Sequence, residues 1–384
     1  MMRSYDVVII GAGSVGTILS YWLAKKGLEV AVIEKNASVG RGEHRAAIGG
    51  VRATHSDPAK IKIGLRSLEF LRELEREFGF DVDYVEGGYL FPAYQESIAS
   101  KLKSLLAVQQ KIGLEIDWIG PDQVAALVPG IREEGLLGGT YSPRDGHLSP
   151  LKLASAFYQM ALSAGVEFYF RTRVTGFVLE GGRVAEIKTD GPSLSPGLVI
   201  NAAGSNAREI GLLLGTDLPV VPDAHEAGVT EPVERFFYPM VVDIEPTADS
   251  ENYYFYQDPE GSVLFCITPK PKRLGATKAS TSEFLPMVVP RLLRLCPRLR
   301  YLRVRRVWRG MYPGTPDDRP IVGFDRNVQG VFHAVGMCGQ GLMLGPGLGQ
   351  LVADRLVGEL APEDEDVFEL LSPYRDFTAK ELLR

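Results

Sequence analysis

The sequence predicts an α/β fold: a largely parallel sheet covered by helices, interleaved with a second, α+β unit on an antiparallel sheet. Two observations carry this. The chain opens with strand, glycine turn, helix and second strand inside its first 34 residues, which is the βαβ pattern. Residues 219–310 instead read as short strand-like pieces between turns with one helix, the pattern of an antiparallel sheet.

The opening comes first. Tyr5-Asp6-Val7-Val8-Ile9-Ile10 is an apolar, β-branched run suited to a buried strand. Gly11-Ala12-Gly13-Ser14-Val15-Gly16 follows at once, and then a helix with Leu19, Trp22, Leu23 and Lys26 on one side and Gly27 at its end. Leu28 to Ile33 is the next strand, closed by Glu34. Gly11 permits the tight turn, Gly13 admits a pyrophosphate to the backbone, and Gly16 lets helix and strand pack closely. The helix N-terminus offers N–H groups and a positive dipole end to phosphates. Glu34, 23 residues after Gly11, is placed to accept hydrogen bonds from ribose hydroxyls. These features make a Rossmann-like dinucleotide site and leave NAD and FAD both open.

The bulk composition narrows the class. The 384 residues are enough for about two domains. A net charge of −6 argues against nucleic acid as the main partner. No apolar run reaches the roughly 18–20 residues that span a bilayer. Nothing at the start resembles a signal peptide. Cys266, Cys296 and Cys338 are far apart, without CxxC spacing, so neither a disulfide framework nor a cysteine metal site is expected. Together these point to the cytoplasm.

Residues 36–57 are a polar, Gly-rich connection with Arg41, Arg45 and Arg52. Ile48-Gly49-Gly50-Val51-Arg52 brings Arg52 either close to a ligand or into solvent. Pro58 to Phe78 has helical apolar spacing and reads as core. Val82 to Ala93 reads as paired short strands, 95–112 as a helix, and Gly138 to His147 as an irregular stretch with a loop histidine. A helix from Pro150 to Ala164 and a strand from Gly165 to Phe170 follow. Glu180-Gly181-Gly182-Arg183 marks a hairpin. Leu198 to Gly204 is a buried strand ending in small residues, where a backbone can approach a ligand.

In the second unit, alternation puts Tyr254 and Tyr256 on one face and Tyr253 with Phe255 on the other. One face packs, and the other is a candidate cavity wall. Near the end, Val331 to Val335 is a strand with His333 in the core. Gly336 to Pro346 is a second Gly-rich loop, and Pro346 is expected in the first turn of a helix reaching Gly358. That helix N-terminus would face something electron-rich. Glu363 to Asp366 reads as a solvated acidic run, and no metal site is expected. The dinucleotide-binding domain is thus expected at 1–82, 148–218 and 311–384, and the substrate domain at 83–147 and 219–310.

Four stretches together resemble the D-amino-acid oxidase superfamily of FAD enzymes, in the branch of glycine oxidase, the sarcosine oxidase β subunit and the dye-linked L-proline dehydrogenase β subunit. They are the opening fingerprint, Val199 to Gly204, Thr315-Pro316-Asp317 through Gly323, and Gly339-Gln340-Gly341 before the last helix. The resemblance covers almost the whole chain. It implies an FAD-binding domain interleaved with a substrate domain. It assigns Gly11, Gly13 and Gly16 to the pyrophosphate, Glu34 to the adenosine ribose and Val174 to the adenine end through its backbone, with Ser14, Val15 and Lys35 also expected to bind the cofactor. Ala203 and Gly204 would border the pyrophosphate. Gly341, Leu342 and Met343 would set the last helix at the N1/C2=O edge of the flavin, and Gly336 and Gly339 are also expected to bind the cofactor.

The departures are informative. Gln340 stands where the family loop reads Gly-His-Gly. Gly310 precedes Met311-Tyr312 where monomeric sarcosine oxidase tethers its flavin to a cysteine, so FAD is expected to be non-covalent. Met343 replaces a carboxylate-binding lysine of sarcosine oxidases, which favours the proline dehydrogenase type. The resemblance implies oxidation of a small amino acid, such as proline, sarcosine or glycine, by hydride transfer to flavin N5 and hydrolysis of the imine. Arg52 would hold the carboxylate, with Tyr254 and Tyr256 as pocket walls. The electron acceptor would be a dye, a quinone, a partner flavoprotein or oxygen. Two rivals are a flavoprotein subunit of a hetero-oligomer with little activity alone, and an NAD-linked dehydrogenase.

Overall fold

The computed structural model describes residues 2–383; Met1 and Arg384, outer limits of the expected dinucleotide-binding domain, lie outside them. Two eight-stranded sheets dominate. In the first, strand Arg3–Ile10 lies parallel between Leu194–Asn201 and Val30–Glu34. Glu167–Phe170 and Val331–Val335 extend it in parallel on the two sides. Ile321–Phe324 closes one edge antiparallel. The hairpin Val174–Glu180 with Arg183–Thr189 hangs from Leu194. Val7, Val8, Ile9 and Ile10 are all buried, as befits a parallel strand covered on both faces.

The covering helices explain how two glycine turns meet. Asp57 caps helix Pro58–Phe78 by accepting the Lys60 N–H, and Gly79 ends it at φ +75°. Helix Gly341–Val357 packs on both Gly16–Lys25 and Pro58–Phe78. Its glycines make the approach possible: a Cβ at Gly345 would overlap the Ser14 carbonyl oxygen, and one at Gly347 the Ile63 carbonyl oxygen. This helix starts earlier than expected. The Leu344 N–H already donates to the Gln340 carbonyl (2.9 Å), so Pro346 lies inside the helix rather than in its first turn. The fixed φ of proline is compatible with both places, and only one ladder bond is lost.

The second sheet runs Val304–Gly314, Val221–Pro232, Ser262–Pro269, Ser250–Gln257, Met240–Asp243, Tyr89–Ala93, Gly138–Ser142, Asp117–Ile119. All its pairs are antiparallel except Met240–Asp243 with Tyr89–Ala93. The short strands of Val82 to Ala93 therefore do not pair with each other: Tyr89–Ala93 pairs with distant strands, and Val85 bridges to His147. Nor is 138–147 irregular. It supplies strands Gly138–Ser142 and Gly146–His147, the latter paired with Gly50–Val51. A Cβ at Gly139 would sit 2.7 Å from the Phe91 carbonyl oxygen. Glycine serves close strand approach here, which the sequence presents as turn chemistry. Strand Val304–Gly314 runs unbroken across the domain limit expected after 310. The acidic run is not merely solvated, since Asp364 pairs with Arg66, Asp366 with Lys62 and Glu365 with Arg355.

Alternation in Ser250–Gln257 sorts the tyrosines. Tyr253 and Phe255 join Phe237, Phe265 and the helix residues Phe284, Val288 and Leu292 in one core. Tyr254 and Tyr256 face the other way, toward Met240, Val242 and Cys266.

Candidate active site

A cavity of about 440 Å³ lies between the C-terminal ends of the parallel strands and the inner face of the second sheet. That is where open α/β sheets bind ligands, and the volume is within the roughly 300–1,000 Å³ of small-molecule sites.

One end is built by the first sheet. Ile10, Gly11, Gly13, Ser14, Val15, Glu34, Lys35, Val174, Ala203 and Gly204 line it. Gly11 adopts φ +110°, and a Cβ there would meet the Ala202 carbonyl oxygen at 2.5 Å. At Gly13 and Gly204, by contrast, a Cβ would meet nothing within 4 Å, so both open onto free space. Gly16 is the exception among the expected ligands. It does not line the cavity, because it packs on Gly11, whose carbonyl oxygen a Cβ would overlap. Glu34 is buried, and its carboxylate accepts from the Ala12 N–H (2.9 Å) and the Asn36 N–H (2.7 Å). These bonds fix it at the strand end, facing the cavity. Lys35 donates to Asn206 Oδ1 at 2.5 Å, and burial lowers its pKa.

The middle is built by the last helix. Gly336, Gly339, Gly341, Leu342 and Met343 all line the cavity. The N–H groups of the first turn have no acceptor within the helix. Gln340 is buried, and its Oε1 has no hydrogen-bond partner; neither has the buried Oγ of Ser205 at the other end. Orphaned polar atoms beside open glycine backbone and two helix N-termini fit a long, phosphate-bearing dinucleotide.

The far end is the second sheet. His225, Met240, Val242, Asn252, Tyr254, Cys266, Thr268, Trp308, Met311 and Tyr312 line it. The Tyr254 and Tyr312 hydroxyls are 2.7 Å apart. The His225 ring stacks on Tyr312 with centroids 3.8 Å apart, and Asp223 Oδ2 lies 3.2 Å from its Nε2. Burial, then the neighbouring Cys266 and Tyr312, hold the Tyr254 pKa well above the ordinary value, so it remains an O–H donor. Burial likewise pushes the Cys266 thiol up to about 11, against hydrogen bonds from the two tyrosines. It is therefore not a ready nucleophile.

Two expected substrate residues are placed otherwise. Arg52 lines the cavity, but its terminal nitrogens donate to the backbone carbonyls of Thr54 and Leu383, the latter at 2.6 Å. The guanidinium sits over the Tyr89 and Phe91 rings. It is engaged by the chain itself because residues 381–383 return beside it: Glu381 accepts from the Ser56 N–H and pairs with Lys60 at 3.0 Å. Tyr256 does not line the cavity. Its hydroxyl donates to the Ile48 carbonyl and its ring lies 4.4 Å from His147, so it braces the Gly49–Gly50 turn. His147 is itself buried in a strand, not in a loop.

His225 and Trp308 carry no expected role from the sequence, and Tyr312 enters there only as the neighbour of Met311 in the stretch that lacks a tethering cysteine. The signal for His225 is Asp223-Ala224-His225, whose alternation puts acid and imidazole on one face of a strand. Trp308, Gly310 and Tyr312 share alternation in the same way, but no sequence feature shows which face meets the cavity. A Cβ at Gly310 would lie 2.6 Å from the Ala46 Cβ, so that position has no room for a tethering cysteine.

Compared with known proteins, the FAD dependent oxidoreductase family matches residues 6–355. The structure of L-proline dehydrogenase from P. horikoshii is similar, with a TM-score of 0.91, 29% identity and 98% of each chain covered. Glycine oxidase from Geobacillus kaustophilus gives a TM-score of 0.85 at 26% identity, covering 97% of this chain and 99% of that one. By sequence, the hydrogen cyanide synthase subunit HcnC of Pseudomonas protegens is 28% identical over 94% of each chain.

Proposed function

The chain belongs to the FAD dependent oxidoreductase family, and from that premise we propose that it oxidises a small amino acid, preferably a secondary or cyclic amine such as proline, with non-covalently bound FAD. The NAD-linked reading falls, because the family's dinucleotide is FAD. The observation that carries the proposal is the single cavity joining two glycine-rich helix N-termini to a wall of paired tyrosines. The likeness to proteins named proline dehydrogenase and glycine oxidase supports it.

FAD, when bound, supplies at its N5 the acceptor for a hydride from the carbon bearing the amine. Gly13, Gly204 and Ser205 would hold the pyrophosphate, and Glu34 the ribose. The N–H groups of Gly341, Leu342 and Met343 would meet the N1/C2=O edge, where a positive helix end stabilises negative charge. The Tyr254 and Tyr312 hydroxyls take the carboxylate role that the sequence suggested for Arg52. Trp308, Met240 and Val242 close the apolar side, orient the C–H and exclude water. An amine bound neutral needs no strong base, and the imine is hydrolysed by water.

A second reading, service as a subunit of a larger assembly, is supported by the relative named a synthase subunit. An amino-acid panel assayed with a dye acceptor, with and without oxygen, tests both. The expected result is turnover with proline or another secondary amine, faster with dye than with oxygen. Turnover only with hydroxy acids would overturn the substrate class. Flavin without amino-acid turnover would favour the subunit.

A further inference from the structure

Outside the cavity, the rim strand of the second sheet concentrates positive charge. Between Arg291 and Arg309 the sequence has eight arginines and no lysine, and no acid lies between Glu283 and Asp317. In a chain of net charge −6 this is a marked segregation. Some of these arginines are used internally: Arg291 pairs with Asp243, Arg294 with Glu245, and Arg309 donates to the Ala279 carbonyl. Arg300, Arg303, Arg305 and Arg306 are exposed and have no ion pair among the described residues. Tyr301, among them, is 84% exposed, more than any other large hydrophobic side chain described, and Val304 is exposed beside it. Strand Val304–Gly314 pairs only with Val221–Pro232, so it is an edge strand. Its far end carries Trp308 and Tyr312 into the cavity.

We propose that this edge, from Arg300 to Arg306, is a docking surface for an acidic segment of a partner protein. A guanidinium grips a carboxylate with two parallel hydrogen bonds, which an ammonium cannot do. Arginine and tyrosine are the types enriched at protein interfaces, and lysine is depleted there. An edge strand also offers backbone groups to an added segment. A second copy presenting the same edge is repelled by like charge. A nucleic acid, with a charge about every 1.7 Å, needs a longer basic track than the four arginines of this edge provide. A bilayer would need several apolar side chains to insert, and here Tyr301 and Val304 are the exposed ones.

The test uses the FAD-loaded full chain and three probes: a fluorescent poly-glutamate peptide, phosphatidylglycerol vesicles and a single-stranded oligonucleotide. The triple change Arg300→Gln, Arg303→Gln and Arg305→Gln should weaken peptide binding about tenfold or more. Tyr301→Ser should weaken it as well, while turnover of small substrates with dye stays unchanged. The matched triple change to Lys preserves charge and should also weaken binding, because the forked geometry is lost. Lys variants that bind like the parent would reduce the surface to diffuse attraction and overturn the proposal. So would tighter, arginine-dependent binding of vesicles or oligonucleotide, or a drop in oligomer mass in the Gln variant, which would reveal self-association.

Discussion

At the scale of single residues, Arg52 and Tyr254, expected as carboxylate partner and pocket wall, differ in what holds their polar groups. Tyr254 presents a protonated hydroxyl to the cavity, 2.7 Å from that of Tyr312. Tyr254→Phe should lower kcat/KM for the best amino acid by about 1.5–3 kcal/mol, the worth of a hydrogen bond to a charged group, with the flavin spectrum unchanged. Unaltered kinetics would remove it from the site. Arg52 is bound to the Thr54 and Leu383 carbonyls. Arg52→Met strands those buried acceptors, at a cost of about 1–3 kcal/mol each. Thermal unfolding should therefore shift down while KM changes little. A large rise in KM at constant stability would restore Arg52 as the carboxylate partner. The sequence pattern matched the position of Arg52 but not the chain that returns beside it, because a contact between residues 52 and 383 leaves no local trace.

At the scale of elements, the packing of helix Gly341–Val357 fixes the cavity. Gly345, in the second turn of this helix, lies against the Ser14 backbone just ahead of helix Gly16–Lys25. Gly345→Ala forces the two apart, and overpacking of this kind costs about 1–3 kcal/mol. Both the melting temperature and FAD retention should fall, measured by calorimetry and by flavin released on dilution. A variant that keeps both would show that the helix approach tolerates slack. The βαβ opening, the hairpin at Gly181–Gly182 and the alternation of Tyr253 to Tyr256 were legible, because each is written in neighbouring residues. Strand Gly138–Ser142 was not, since its glycines and its pairing with Tyr89–Ala93 are explained only by distant partners. The early start of the last helix was hidden by Pro346, which suits a first turn and an interior equally on its fixed φ.

At the scale of the whole molecule, buried titrating groups predict acid sensitivity. Burial lowers the pKa of His44 and His55, and burial with Arg235 pushes His147 down to about 3. All three are neutral in the fold, whereas the unfolded chain binds protons near pH 6.5. Stability is therefore full above that pH and lost as pH falls below it, by up to about 1.4 kcal/mol per pH unit for each histidine. Asp145, raised to about 6 by burial despite its bonds to Thr54 and Ala53, acts oppositely between about pH 6 and 4, and so do Asp57, Asp243 and Asp258, which burial also raises, but the three histidines begin to act first as pH falls, from about 6.5. Urea midpoints measured from pH 8 to 5 should decline below about 6.5, and His147→Phe should flatten the curve. A flat parent profile would contradict the burial of these rings as neutral groups. The meeting of two glycine-rich ends and a tyrosine wall within one cavity is likewise a property of the whole. Both glycine-rich stretches were legible as local patterns, whereas of the tyrosine pair only Tyr254 was singled out as a candidate wall.

The most direct measurement is anaerobic titration of the FAD-loaded protein with proline and with a matched hydroxy acid, following the flavin's visible absorbance. Full bleaching by the amino acid, one equivalent per flavin, with none by the hydroxy acid, is the predicted result; bleaching by the hydroxy acid alone would contradict the assignment of this cavity to amine oxidation.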